Sequence, residues 1–219
     1  MKIHFIVTTS LITDNYESRK EEYMRGINSL FNELNNYSSS ANCSVIIVEN
    51  NGRRNTFLNE LYPQAKIFYT SNNKLSVNKG IKELRDIYDT IVHYEIPDED
   101  MIVKLTGRYI INKNSCFIRE LMSSTTKYDC MVKLGSIIDY RNKVSLLDKF
   151  DCYTGLFALR SKYLKKDIPT YLSNYKDFEW IEWIIISIIH TNVPNNKILF
   201  MDKLDLIVKP AGQTQSNLV

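Results

Sequence analysis

The stretch PDEDMIVKLTGRY, residues 97–109, holds two sets of groups suited to opposite kinds of chemistry. Asp98, Glu99 and Asp100 supply adjacent carboxylates, the ligand type that grips a hard divalent cation. Lys104, Thr106 and Arg108 supply two cations and a hydroxyl, a set suited to phosphate oxygens, which an arginine can take two at a time. The apolar run MIVKL between them decides which set faces a ligand. It reads as a β-strand, and in open α/β sheets ligands bind in the crevice outside the carboxyl ends of the strands. The acidic triplet precedes the strand and is expected in a solvated loop beside Pro97. Lys104 to Tyr109 are expected at the ligand edge, with Lys104 and Thr106 on one face of the strand and Gly107 letting the backbone approach a ligand. The plainer alternative makes Lys104 a snorkelling strand-end residue and Arg108 a surface ion-pair partner.

The elements that must hold this edge are legible along the chain. KIHFIVTTS reads as a first strand. Tyr23, Met24, Ile27, Leu30, Phe31 and Leu34 then recur at the three- and four-residue spacing of an amphipathic helix. CSVIIVENNG is a second strand with its turn, TFLNELY a short helix stopped by Pro63, and KIFYTS a third strand. A long helix follows through SVNKGIKELRDIYDTIVHY, and MIVKL is the fourth strand. Strands alternating with helices predict a Rossmann-like α/β fold, a mostly parallel sheet with helices on both faces and right-handed crossovers. Beyond residue 110 the pattern loosens into a helix at SCFIRELMSS, strands at DCMVKLG and GLFALR separated by an irregular stretch to Asp151, a helix at DFEWIEWIIISIIH, and short strands at KILF and LDLIVK.

The order of strand-end residues carries a resemblance. The first strand ends in Thr8-Thr9-Ser10, the second in Glu49-Asn50-Asn51-Gly52, the third runs into NNKLSVNKGI, and the fourth into KLTGRY. This resembles the nucleotide-sugar-binding half of GT-A glycosyltransferases over roughly residues 3–110, and more faintly through TGLFALR and DFEWIEW. The resemblance implies a single GT-A-like domain over 1–219, with a donor half at 1–110 and an acceptor half at 111–219. It implies that Thr8, Thr9, Glu49, Asn73 and Asn78 contact the nucleotide of a UDP-, GDP- or dTDP-sugar donor. Where the family places D-x-D to hold Mn or Mg, this chain has TGRY. Lys104, Thr106, Gly107 and Arg108 are therefore expected to meet the diphosphate and sugar, and metal dependence is doubtful.

In the second half the resemblance puts Thr154 and Gly155 on the acceptor side, the acceptor being a hydroxyl of a glycan or glycoconjugate. An inverting transfer needs a base for that hydroxyl. Asp177, Glu179 and Glu182 are the candidates, Glu182 foremost because Trp180, Ile181 and Trp183 would desolvate it. The same carboxylates can instead simply complement a helix dipole. Trp180 and Trp183, at helical spacing in an apolar segment, are expected in the core rather than stacked on a sugar.

Composition bounds the rest. Hydrophobic residues at 44%, charged residues at 24% and a net charge of +3 describe an ordinary globular chain and give no reason to expect a nucleic-acid partner. Four scattered cysteines without CxxC spacing fit neither a zinc cluster nor a disulfide framework, and point to a reduced, cytoplasmic setting. The N-terminus reads as a strand rather than a signal peptide, and WIIISII falls well short of the ~20 residues of a membrane span. No G-x-S-x-G elbow, P-loop or G-x-G-x-x-G is present. The expectation is a hexosyltransferase-type enzyme of polysaccharide synthesis. The rival from another class is a GT-A-shaped binding or scaffold protein without catalysis. A nucleotidyltransferase is disfavoured because no Gly-rich loop follows the first strand.

Overall fold

The computed structural model describes residues 1–12, 15–37, 42–75, 77–124, 126–135, 152–174, 180–208 and 217–219. Strands β1 (Ile3–Thr9), β2 (Cys43–Glu49), β3 (Lys66–Tyr69) and β4 (Met101–Thr106) alternate with helices α1 (Tyr16–Leu34), α2 (Phe57–Leu61) and α3 (Lys79–His93). A short strand β5 (Ile110–Ile111), helix α4 (Cys116–Ser124), strands β6 (Cys130–Val132) and β7 (Leu156–Arg160) and helix α5 (Ser161–Asn174) follow. Helix α6 (Ile181–Asn192) and strands β8 (Ile198–Phe200), β9 (Leu206–Val208) and β10 (Asn217–Leu218) complete the order.

The main sheet runs β3-β2-β1-β4-β7-β6-β8. Its first four strands are parallel, whereas β7 runs antiparallel to both β4 and β6. Alternate residues of β1 show why helices must cover both faces. Phe5 and Val7 join Tyr23, Ile27 and Leu30 of α1 in one core, while Ile6 joins Ile81, Leu84 and Ile87 of α3 and the isoleucines of α6 in the other.

Register brings the parallel strands to a common edge. Thr9 lies opposite Glu49, and Thr8 opposite Thr106. The acidic triplet sits at the other edge. Asp98 and Glu99 are exposed and paired with Lys165 and Lys162 at 2.7 and 3.3 Å. Asp100 is buried, accepting from the Lys2 amide at 2.7 Å and meeting His4 Nε2 at 3.0 Å. Burial would raise the Asp100 pKa, but those two partners outweigh it and hold the carboxyl below its ordinary value. The triplet thus braces the amino edge.

The burial of Asp100 departs from the solvated loop expected of it, and other features depart from the sequence reading as well. Helix α5 was not foreseen, because Pro169 lies inside it and proline marks a helix break. Leu164 and Ile168 are fully buried in the second core, and that tertiary packing outweighs the local penalty. Trp180 and Trp183 are not core residues: they are 64% and 52% exposed. The six buried positions of α6 are all isoleucines, which leave no inward face for the indoles. Trp180 stands outside the helix as its N-terminal flanking residue.

Candidate functional site

A cavity of about 710 Å³ opens at the carboxyl edge. Thr8, Thr9, Asn73, Lys104, Thr106, Arg108, Thr154, Gly155 and Glu182, all singled out from the sequence, line it together. The fold explains the convergence. β1 and β4 are adjacent and parallel, and β7 enters from the opposite direction, so its first residues lie beside the last of β4, Leu156 opposite Leu105. Asp177 and Glu179 lie outside the described residues.

Lys104 is a tightly held charge in the cavity. It is fully buried, so it does not snorkel. Its ammonium donates to Thr154 O at 2.6 Å and Thr106 Oγ1 at 2.7 Å, and pairs with Glu83 Oε1 at 2.9 Å. Thr8 Oγ1 donates to the same Glu83 oxygen at 2.5 Å. Thr154 Oγ1 in turn donates to Glu182 Oε1 at 2.9 Å. One chain of polar contacts therefore links Glu83 on α3 to Glu182 on α6 across the ends of β1, β4 and β7.

Arg108 follows β4 on the other side of the sheet, against α1. Glu22 lies 3.7 Å from Arg108 and 3.5 Å from Arg19, so one carboxylate holds two guanidiniums at the cavity wall. The approach of this loop to α1 depends on Gly26. A Cβ there would stand 2.2 Å from the Gly107 carbonyl oxygen and 2.8 Å from that of Tyr109. Gly107 is small for a related reason: a Cβ there would stand 3.0 Å from Thr8 O and 3.0 Å from the Val7 side chain.

Two further positions differ from their expected donor contacts. Glu49 is fully buried below the edge. Its carboxylate accepts from Thr9 Oγ1 at 2.8 Å, Asn51 Nδ2 at 2.5 Å, Arg54 Nη2 at 2.9 Å and the Leu11 amide at 3.2 Å, which braces the loops after β1 and β2. Asn78 caps α3, its side-chain oxygen accepting from the Ile81 amide at 3.0 Å.

The sequence reading missed Glu83, Asp86, Lys79 and Lys82, all of which line the cavity. Their signal was present: positions 79, 82, 83 and 86 recur at helical spacing and make a charged stripe on α3. Asp86 is buried and accepts from Thr70 Oγ1 at 2.6 Å, Asn72 Nδ2 at 2.8 Å and Asn50 Nδ2 at 3.2 Å, fastening two strand-end loops to the helix. Desolvation pushes its pKa from 3.8 up to about 7, against the pull of those hydrogen bonds. A raised folded-state pKa favours the native state fully below the unfolded value and loses that contribution as pH rises through the folded value. Stability measured by urea unfolding is expected to fall between about pH 4 and pH 7, and Asp86→Asn to flatten that slope.

Among the described residues, Arg19, Lys79, Lys82, Lys104 and Arg108 set against Glu83, Asp86 and Glu182 leave the lining with a cationic surplus. At the end of β4, where a divalent cation would need carboxylates, the groups are an ammonium, a hydroxyl and a guanidinium, and among the described residues the carboxylates beside them, Glu83 and Glu22, are already paired with these cations. That set does not fit a hard cation. Among the described residues, no group of three or more His, Cys, Asp or Glu could hold a metal, and no helix is long and apolar enough to cross a membrane.

No known family pattern matches the chain, and no curated protein sequence does either. Solved structures do. A proposed nucleotide-diphospho-sugar transferase from Desulfovibrio desulfuricans G20 matches with a TM-score of 0.52 at 9% identity, over 92% of this chain and 80% of that one. TarS 1–349 of S. aureus, solved also in complex with UDP-GlcNAc, matches with a TM-score of 0.57 at 12% identity, over 92% of this chain and 58% of that one. A 4-diphosphocytidyl-2C-methyl-D-erythritol synthase matches with a TM-score of 0.53 at 8% identity, over 91% and 89%.

Proposed function

We propose, from the GT-A-like fold that these likenesses establish, that the protein transfers a sugar from a nucleoside-diphosphate donor to a hydroxyl acceptor. The observation that carries the reading is the cationic cavity at the carboxyl edge, with Arg19 and Arg108 on one wall and Glu182 on another. The nucleotide enters along Ser10, Asn50 and Asn73, at the ends of β1 and β2 and in the loop after β3. Arg19 and Arg108 face the diphosphate, whose charge grows as its bond to the anomeric carbon breaks. The acceptor oxygen attacks that carbon, the diphosphate leaves with the bonding electron pair, and the acceptor proton passes to Glu182 Oε2. Thr154 fixes the other oxygen of Glu182. A single displacement from the face opposite the leaving diphosphate inverts the anomeric centre, and it is this course that requires a protein base for the acceptor.

Protein cations stand in for the metal on this reading, so donor turnover is expected to continue undiminished in excess EDTA and to gain less than about twofold from added Mn²⁺. Abolition by the chelator and rescue by Mn²⁺ overturns that part of the reading. Isothermal titration with UDP-, GDP- and dTDP-sugars tests the whole. Binding to none of them removes the donor assignment. Binding without any release of free sugar favours a non-catalytic nucleotide-binding module, the rival suggested by TGRY in place of D-x-D.

A further inference from the structure

Lys104 has three N–H bonds and three acceptors, Thr154 O, Thr106 Oγ1 and Glu83 Oε1. With every donor engaged, this ammonium has none to offer a phosphate. It serves instead to hold Glu83. The Thr8 hydroxyl donates to the same Oε1, so a cation and a hydroxyl converge on one carboxylate oxygen. The second oxygen, Oε2, receives no hydrogen bond or ion pair among the described residues. The Glu83 side chain is 24% exposed where that of Lys104 is 1%, so the pair shows its carboxylate to the cavity and conceals its ammonium.

A carboxylate oxygen fixed in this way repels phosphate and attracts hydroxyl groups, to which it makes strong charge-assisted hydrogen bonds. Its position separates it from the phosphate-binding cations. Arg19 and Arg108 stand on the α1 side of the sheet, whereas Glu83 stands on the α3 side. Helix α6 packs there too, and the contact is close: a Cβ on Gly80 of α3 would stand 3.1 Å from the Ile181 side chain. Glu83 and Glu182 therefore flank the same part of the cavity, joined through Lys104 and Thr154.

We infer that Glu83 is a donor-specificity residue that accepts a hydrogen bond from a hydroxyl of the transferred sugar, with Lys104 as its positioning residue. The inference rests on the donor reading of the preceding subsection. It is tested by titrating wild type and Glu83→Gln with UDP, GDP and dTDP and with the glucose conjugate of each. Glu83→Gln is expected to bind the plain nucleoside diphosphate within about twofold of wild type and the conjugate at least about tenfold more weakly. Equal losses for both ligands, or no loss for either, overturn the inference and leave the donor reading standing. Wild type that binds no ligand of the set overturns both. Should the variant fail to fold, singly deoxygenated glucose conjugates on wild type decide the matter. Loss of one hydroxyl must weaken binding about tenfold, and a series with no such step overturns the inference.

Discussion

Glu182→Gln is expected to slow sugar release from the donor by about a hundredfold to ten-thousandfold while leaving donor affinity within about threefold. The substitution preserves shape and keeps an oxygen for the Thr154 hydroxyl, now 2.9 Å from Glu182 Oε1. It removes the ability to take up a proton. The loss should therefore fall on turnover, and stopped-time assays of free sugar beside calorimetric donor binding separate the two. Thr154→Val adds a graded control: the base is intact but its orientation is released, so an intermediate loss is expected. Unchanged turnover in Glu182→Gln would remove the base from the mechanism and leave its side chain as a complement to the positive end of α6.

Lys104→Met is expected to destabilise the protein by about 2–4 kcal/mol, read by urea unfolding at pH 7. Three acceptors lose their donor at once, including a backbone carbonyl and a carboxylate. The range lies somewhat below the ~3–5 kcal/mol of a fully buried pair because Glu83 retains contact with solvent and can be rehydrated. The double substitution Lys104→Met with Glu83→Gln should recover part of the loss, since no unpaired charge then remains, and the thermodynamic cycle isolates the coupling. A loss below about 0.5 kcal/mol in Lys104→Met would mean that the network linking β1, β4, β7 and α3 contributes little to the fold. Each measurement also bears on function, because Thr154 lies between Lys104 and Glu182.

Much of the architecture was written in local patterns. The first four strands, the helix from Tyr16 to Leu34 and the helix from Lys79 to His93 follow from periodicity and from strand-ending polar residues. Strand polarity alone sent the acidic triplet to the amino edge and Lys104 to Arg108 to the carboxyl edge, because a parallel sheet puts all its carboxyl ends on one side. Helix α5 was illegible since Pro169 contradicts it locally, and only burial of Leu164 and Ile168 against the sheet resolves the conflict. The exposure of Trp180 and Trp183 was equally hidden, because a run of isoleucines does not reveal which residue will lack a neighbour.

Residue types and their order determined that groups suited to phosphate stand at the end of the fourth strand. They did not determine which of them reach a ligand. Glu49 and Asn78 occupy the expected positions, yet their side chains are taken up by loops and a helix end, while Glu83 and Asp86 enter the cavity from a helix. Hydrogen-bond saturation decided this, and it is a property of what surrounds a side chain in three dimensions. A lysine in a strand is a free cation in the sequence; three acceptors drawn from positions 83, 106 and 154 turn it into a fixed support.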